Sequence, residues 1–337
     1  MNSTATISRK LLAEAINRQA SDIHFYPFPT KTNIYFRILG KRILYDTIKT
    51  SQYELLLTYY KFTSGMDIGE IRKPQDGSIT HKLGPNNYAL RLSTLPVNQM
   101  ESLAVRILPQ EENLPIDKLF LFPSQLNVLK KWMNNPAGLI LLTGPTGSGK
   151  TTTLYALLQS LLEEKSFQTI TLEDPIEKKL HDILQVQVNE KAGITYQSGL
   201  KAALRHDPDI IMVGEIRDHY TAKFAIDASL TGHLVLSTLH AKNTTGTIHR
   251  LLEMGLTKTE LSQSLVGVAS IQLLPIDLIP DMVRRAAIVE FLYGQNLSTA
   301  IDGQPIDMRT NHHSFSHLRK KAFAYGYITE TAYKEFL

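Results

Sequence analysis

The chain has 337 residues, which is enough for two domains that each bury a core of their own. Hydrophobic residues make up 43% of it and charged residues 20%, the proportions of an ordinary globular protein. Its 36 basic and 32 acidic residues nearly balance, so the composition does not favour a nucleic-acid-binding protein. Because the chain has no cysteine, disulfides, cysteine-ligated zinc and thiol catalysis are excluded.

Two features bear on the cellular location. The N-terminus lacks the basic and then apolar order of a signal peptide. The longest apolar region, residues 265–279, is interrupted by polar residues and a proline, which argues against a membrane span. We therefore expect a soluble, cytoplasmic protein.

The first third of the chain has the pattern of a small α+β domain. Apolar spacing predicts an amphipathic helix over residues 7–20. Alternating segments predict two hairpins, with turns at Gly40–Arg42 and Gly84–Asn87, and a further strand over Ser102–Leu108. The proline-containing segment Pro109–Pro123 then reads as a linker.

These signals predict an N-terminal domain over residues 1–108, a linker over 109–123 and a second domain over 124–337. From Ser124 onward, apolar strands alternate with helices, which predicts an α/β domain with a mainly parallel sheet.

A phosphate-binding loop is predicted in the second domain, because Gly144–Thr151 fits the pattern G-x-x-x-x-G-K-[ST] at every fixed position. An apolar strand over Gly138–Thr143 precedes it, and leucines at helical spacing follow it. Backbone N–H groups and the helix N-terminus would hold phosphate oxygens, Lys150 would reach the β- and γ-phosphates, and the Thr151 hydroxyl would ligate Mg²⁺. The nucleotide-binding residues predicted here are Gly144, Pro145, Thr146, Gly147, Ser148, Gly149, Lys150, Thr151 and Thr152.

Three more predicted strands end in polar residues. Residues 168–172 lead to the acidic group Glu173, Asp174 and Glu177, residues 209–213 lead to Glu215, and residues 234–239 lead to His240. Since ligands bind outside the carboxyl ends of the strands in an open α/β sheet, we expect these groups beside the phosphate loop.

Each of these groups has a candidate role and a plainer alternative. Glu215 has the placement of an acid that holds Mg²⁺, although an acid near a helix N-terminus is also favoured by the dipole. Glu177 and its acidic neighbours would aim a carboxylate at the attacking water, or form a solvated turn. His240 would contact the γ-phosphate, or lie on the surface, and His233 is more ambiguous.

Four segments in this order resemble the Walker A, Asp box, Walker B and His box of the secretion traffic ATPases. These segments are Gly144–Thr151, Thr171–Glu177, Asp207–Asp218 and Gly232–Ala241. The N-terminal part matches as well, at Ala20–His24, Pro74–Gly77, Arg91–Pro96 and Val105–Leu108. The family drives type II secretion, type IV pili and competence pseudopili.

The resemblance implies a PAS-like N-terminal domain and a RecA-like ATPase domain in a ring-shaped homohexamer. It implies that Glu177 activates water, that Glu215 is linked to Mg²⁺ and that His240 senses the γ-phosphate. Arg91 and Arg106 match N-terminal-domain arginines that close onto ATP phosphates, although they alternate with apolar residues and also suit a solvated strand face. We assign Glu173, Asp174 and His233 to nucleotide binding too.

Within the family, this chain is most similar to the competence ATPases of Gram-positive bacteria, because larger secretion members carry a four-cysteine zinc module. The ligands implied are ATP and Mg²⁺, without zinc. The function implied is assembly of a competence pseudopilus for DNA uptake, at the inner face of the cell membrane and through an integral membrane platform protein. No direct contact with nucleic acid is expected.

Three other functions remain open at this point. One is retraction of a type IV pilus, because the direction of work is not evident from these residues. Another is nucleic-acid translocation by a RecA-like ring, although no DNA- or RNA-binding motif is present. The third is a nucleotide-gated scaffold without turnover, which the acids Glu177 and Glu215 disfavour.

Overall fold

The structure is a computed structural model that describes residues 4–109, 115–276, 284–306 and 312–334. The chain divides into two compact units, residues 1–112 and 113–337. Both units combine helices with a sheet, and the sheet of the second is mainly parallel, so the predicted fold class is confirmed.

The first unit is built on an antiparallel sheet of six strands. The strands are β1 (Ala20–Pro27), β2 (Lys31–Ile38), β3 (Lys41–Lys49), β4 (Gln75–Leu83), β5 (Asn86–Val97) and β6 (Met100–Pro109), in the order β3-β2-β1-β6-β5-β4. The helices are α1 (Thr4–Asn17) and α2 (Thr50–Thr63). Side chains alternate along the strands: in β5, Leu90 and Leu92 are buried, whereas Arg91 and Ser93 lie on the other face. One face of the sheet therefore joins the helices in a core.

Two boundaries in this unit differ from the predictions. The first helix ends at Asn17 rather than at residue 20, because Gln19 takes a left-handed conformation (φ 55°) and β1 begins at Ala20. The first hairpin turns at Leu39 and Gly40, both with positive φ, which is the tight turn that suits the twist of two paired strands. Lys41 and Arg42, predicted as turn residues, therefore belong to β3.

The second unit contains a seven-stranded sheet in the order β13-β12-β7-β11-β10-β8-β9. Its strands are β7 (Gly138–Thr143), β8 (Thr169–Glu173), β9 (Leu184–Gln187), β10 (Ile210–Val213), β11 (Leu234–Leu239), β12 (Leu265–Ile276) and β13 (Arg284–Tyr293). Every pair is parallel except β12 with β13. Strands β7, β8, β10 and β11 are buried along their whole length, as expected for parallel strands with helices on both faces.

Helices cover both faces of this sheet. They are α3 (Pro123–Met133), α4 (Lys150–Glu164), α5 (Tyr196–Ala203), α6 (His219–Leu230), α7 (Thr244–Glu253), α8 (Lys258–Ser264), α9 (Gly294–Ile301), α10 (Phe315–Ala324) and α11 (Glu330–Lys334). Helices α3 and α4 contribute to one core, and α5 to α9 to another. None of the described helices has both the length and the apolar character that crossing a bilayer requires.

Part of the predicted linker packs into the second unit. Residues 110–114 of it lie outside the described residues. Ile116 and Phe120 are buried with α3 and α4, and the backbone N–H of Leu121 donates to the carbonyl oxygen of Ala287 at 2.9 Å. Ile116 and Phe120 therefore belong to the core that also buries α4, the helix that follows the phosphate loop.

Candidate nucleotide-binding site

The phosphate loop lies between β7 and α4, as the motif predicts. Gly144 has a φ of 145°, and a Cβ atom there would lie 2.6 Å from the hydroxyl oxygen of Ser148 and 2.7 Å from the carbonyl oxygen of Ile271. Only glycine fits at this position, where the loop turns back against β12. The helix then begins at Lys150, directly after Gly149 in a left-handed conformation. Its first N–H groups consequently face the loop.

Lys150 is 7% exposed, and its ammonium group lies within the loop. The Nζ atom donates to the carbonyl oxygens of Gly144 at 2.8 Å and Pro145 at 3.0 Å. Burial lowers the pKa of Lys150, and the nearby carboxylates of Glu215 and Glu177 oppose that shift. The loop therefore places a cation close to both predicted catalytic acids.

Glu215 connects two of the strand ends. Its Oε1 atom lies 3.3 Å from Nε2 of His240, which follows β11. Its Oε2 atom accepts a hydrogen bond from Nε of Arg217 at 3.0 Å. Burial, followed by the charge of Lys150, lowers the pKa of His240 below its ordinary value of 6.5, so this imidazole is neutral at pH 7.

Asp174 joins the same network through Arg217, whose Nη1 atom lies 3.0 Å from the Asp174 carboxylate. Glu177 lies three residues further on, on an exposed part of the same loop, where its charge acts on Lys150. The structure thus brings together four predicted groups at the carboxyl edge of the sheet: Lys150, Asp174, Glu215 and His240. Their charges suit an anionic ligand accompanied by a cation.

Glu173 has a different environment, since its carboxylate is buried and already hydrogen-bonded. Thr171 donates its hydroxyl to Oε1 at 2.6 Å, and the side-chain amide of Gln185 donates to the same atom at 3.1 Å. The hydroxyl of Tyr155 donates to Oε2. Its described contacts are therefore to the protein itself.

His233 does not join this group. It precedes β11, and its carbonyl oxygen accepts a hydrogen bond from the N–H of Gly138 at the start of β7. Its Nδ1 atom contacts the carbonyl oxygen of Ala228 at 3.1 Å. The phosphate loop follows the other end of β7, so the structure places His233 at the opposite edge of the sheet.

Arg91 and Arg106 lie in the first unit, directly opposite each other on β5 and β6. Both are on the sheet face that does not carry the buried leucines. Nε of Arg106 donates to Asp22 at 2.9 Å, and Nε of Arg37 lies 3.8 Å from the same carboxylate. Asp22 therefore offsets the repulsion between neighbouring guanidinium groups.

The structure adds residues that were not among the predicted site residues: Arg217, Asp22, Tyr155 and Gln185. Arg217 had a detectable signal, because a cation two residues after Glu215 is placed to pair with it. The others contact their partners only through tertiary packing, which pairs β1 with β6 for Asp22, pairs β8 with β9 for Gln185 and brings α4 against Glu173 for Tyr155.

The side-chain oxygens predicted to ligate Mg²⁺, those of Thr151 and Glu215, are of the kind that suits this ion when a nucleotide is bound. Within the described ranges, no group of three or more histidine or acidic side chains is arranged to hold a metal. Magnesium needs no such cage, because one or two carboxylates and the phosphate oxygens of a substrate are sufficient. The Ser148 hydroxyl is buried in the loop without a hydrogen-bond partner among the described residues, which suits a group that contacts a ligand oxygen.

Comparison with known proteins gives a consistent result. The family model described as type II/IV secretion system protein matches residues 2–313. The chain is 42% identical to competence protein ComGA of Bacillus subtilis, over all of this chain and 99% of that protein. It is 43% identical to ComGA of Halalkalibacterium halodurans over 96% of each chain. It is also 43% identical to type II secretion system protein E of Pseudomonas aeruginosa, over 77% of this chain and 51% of that protein.

Solved structures agree with these matches. A crystal structure of the pilus retraction motor PilT with bound ADP superimposes with a TM-score of 0.75 at 28% identity, covering 97% of this chain and 95% of that one. The ATPase DotB of Legionella pneumophila gives a TM-score of 0.76 at 21% identity, covering 98% and 95%, and shares the fold. The resemblance predicted from the four sequence motifs is therefore confirmed.

Proposed function

Because the chain belongs to the type II/IV secretion system protein family, we propose that it hydrolyses ATP with Mg²⁺ to power assembly of a competence pseudopilus for DNA uptake. The observation that carries this proposal is the arrangement of Lys150, Glu215 and His240 at one sheet edge, each within reach of another's charge.

The proposed reaction is the displacement of ADP from the γ-phosphorus by water. The N–H groups of the loop hold phosphate oxygens, and the ammonium of Lys150 moves from its two carbonyl partners to the β- and γ-phosphates. Thr151 and Glu215 would hold Mg²⁺, which when bound neutralises charge on those oxygens.

Glu177 acts as the general base in this proposal. Its carboxylate takes a proton from the water as the bond between that water's oxygen and the γ-phosphorus forms. The bond between the phosphorus and the bridging oxygen breaks, and ADP and phosphate are released. His240, neutral at pH 7, donates a hydrogen bond to the γ-phosphate and so distinguishes ATP from ADP.

In this proposal Arg91 and Arg106 bind the phosphates of ATP, as the family resemblance implies. A guanidinium at the γ-phosphate stabilises the charge that develops in the transition state. The two residues lie opposite each other on neighbouring strands, and Asp22 accepts a hydrogen bond from Arg106, which fixes the direction of that guanidinium.

The proposed assembly is a homohexamer at the inner face of the cell membrane that transmits force to an integral membrane platform protein. The full-length similarity to the two ComGA proteins supports the competence role over a secretion role. Heterologous contacts between identical subunits close into rings when the rotation allows it. Light scattering with a slowly hydrolysed ATP analogue should give six times the protomer mass of 37.9 kDa.

A strain that carries Lys150→Ala tests the cellular role, with Lys165→Ala as its control. Lys165 is an exposed residue that follows α4 and contacts Asn134. We expect the Lys150 strain to lose surface pseudopili and transformability together, and the control strain to keep both. Normal pseudopili in the Lys150 strain would overturn the proposal.

A second measurement separates this proposal from DNA translocation. If DNA were the substrate, adding it would stimulate turnover, and salt would steeply reduce that stimulation. We expect no stimulation at physiological salt. Strong DNA-stimulated turnover would favour the translocase instead.

A further inference from the structure

The loop between β8 and β9, residues 174–183, carries Glu177, and side chains of β9 hold its backbone. The N–H of Leu180 donates to Oε1 of Gln185 at 2.7 Å, and Nε2 of Gln185 donates to the carbonyl oxygen of Lys178 at 2.9 Å. On the other side of Glu177, the N–H of Ile176 donates to the side chain of Gln187 at 3.4 Å. These hydrogen bonds bracket Glu177.

Gln185 is itself held in place by a hydrogen bond to Glu173. Its side-chain amide reaches the Glu173 carboxylate at 3.1 Å while it also holds the loop. Glu173 is 3% exposed, and its other described donors are the hydroxyls of Thr171 and Tyr155. A buried carboxylate is tolerated only when it is hydrogen-bonded, so these contacts leave Glu173 little freedom to move.

Tyr155 links this cluster to the phosphate loop. It lies on α4, five residues after Lys150, and it is buried. Burial and the neighbouring Glu173 carboxylate raise the pKa of Tyr155, so its hydroxyl stays protonated and donates. The backbone of Glu177 also contributes a hydrogen bond to this hydroxyl. A continuous series of contacts thus runs from the loop helix to the predicted base.

We propose that Tyr155, Glu173 and Gln185 form a positioning network that holds Glu177 at a fixed place relative to the phosphate loop. The proposal rests on the function proposed above for Glu177. None of the three residues needs to touch the nucleotide, because they act through the backbone that carries the base. The network gives Glu173 a role in orienting the loop, within the protein, in place of the direct nucleotide contact predicted from the sequence.

Two variants test the network, with one matched control. Tyr155→Phe removes a single buried hydroxyl and keeps the ring, and Gln185→Ala removes both hydrogen bonds to the loop. Tyr53→Phe is the control, because Tyr53 is also buried and donates its hydroxyl to a carbonyl oxygen, at 2.7 Å, but it lies in the first unit. Full-length proteins are compared by turnover, by affinity for a fluorescent ATP analogue with Mg²⁺, and by amide exchange over residues 176–180.

Turnover should fall about 10- to 100-fold in both variants, because a misplacement near 1 Å can cost about 100-fold. Affinity for the analogue should stay within about twofold, since Lys150 and the loop are unchanged. Exchange of the Leu180 amide should be faster in Gln185→Ala. The control should match the wild type in turnover and in affinity.

The decisive comparison uses a Glu177→Gln background. A network that acts only through Glu177 should have no further effect there, whereas general destabilisation would lower the remaining turnover again. Additive losses would overturn the network, as would normal turnover in both single variants while Glu177→Gln is impaired. Normal turnover in Glu177→Gln itself would instead reject the role proposed for Glu177.

Discussion

The two sheets of this protein carry their candidate functional residues in different places. In the first unit, Arg91 and Arg106 lie within strands, on the face opposite the buried leucines. In the second unit, Glu215 and His240 lie just beyond strands that are buried on both faces. An antiparallel sheet covered on one side has a whole face for polar side chains, whereas a parallel sheet between helices has only its edges.

This difference determines what each region depends on. Side chains alternate between the two faces along β5 and β6, and this alternation with the strand register is enough to place the two arginines side by side. The acids of the second unit lie on loops, and side chains such as Arg217 and Gln185 must hold those loops. We therefore expect the second region to be more sensitive to the loss of single polar contacts. The predictions that follow test this contrast.

The largest effect is expected at the sheet edge of the second unit. Glu177→Gln and Glu215→Gln should each retain ATP binding and lose about 10²- to 10⁴-fold in turnover, the range for loss of a positioned general base. If Glu215 acts on the metal, raising Mg²⁺ should partly restore only that variant. Phosphate-release assays across Mg²⁺ concentrations check this, with the exposed Glu163→Gln as control. Equal restoration of both variants would show that the two roles are wrongly assigned.

Fold stability, in contrast to turnover, should depend more strongly on a charge in the core of the first unit. Lys61 and Glu101 form an ion pair at 2.8 Å with both side chains 2% exposed. Lys61→Met should lower the free energy of unfolding by about 3–5 kcal/mol, because the Glu101 charge stays buried without a cation. Lys130→Met, which breaks the exposed pair with Glu164 in the second unit, should cost less than about 1 kcal/mol. Urea unfolding measures both, and similar losses would contradict the burial argument.

Loss of the paired arginines should have an intermediate effect. Arginines at a transferring phosphate contribute about 10³- to 10⁵-fold in well-studied cases, and we expect less here because two residues share the task. Arg91→Ala and Arg106→Ala should each lower turnover about 10-fold, with little change in analogue affinity. Arg72→Ala, in an exposed loop of the same unit, is the control. Wild-type turnover in the double variant would remove both arginines from the mechanism.

The smallest effect concerns pH. Burial lowers the pKa of His24, in the middle of β1, below its ordinary value of 6.5. Since the unfolded chain binds this proton more readily, the stabilisation is complete above about pH 6.5 and is lost as the pH falls below it. His24→Gln should therefore reduce the acid-induced fall in the thermal midpoint between pH 7 and 5.5, by less than about 3 °C. An unchanged or steeper fall in calorimetry would contradict this.

Sequence patterns were sufficient for the parts of the site that depend on local order. A strand, a glycine loop and a helix in succession place Lys150, and apolar runs locate Glu215 and His240 at strand ends. The same reasoning gave the mainly parallel sheet of the second unit. These features follow from periodicity and from one rule about where ligands bind.

Sequence patterns were insufficient where tertiary packing decides the contacts. The contact of Gln185 with Glu173 depends on the parallel pairing of β9 with β8, and the contact of Tyr155 depends on how α4 packs. His233 shows a second limit of reasoning from sequence. It belongs to a segment that resembles a motif, but it lies just before the start of β11, at the edge of the sheet opposite the phosphate loop. A motif match shows which segment of the chain contributes to the site. The direction of the strand in that segment decides which of its residues lie at the site.

The most direct test of the account is the rate of phosphate release by the purified full-length protein with Mg·ATP, compared between Lys150→Ala and Lys165→Ala. Removing the buried ammonium that we propose binds the β- and γ-phosphates should lower turnover at least about 100-fold and weaken nucleotide binding. The exposed Lys165 variant should match the wild type. Near-normal phosphate release by Lys150→Ala would contradict the assignment of this sheet edge as the site of ATP hydrolysis.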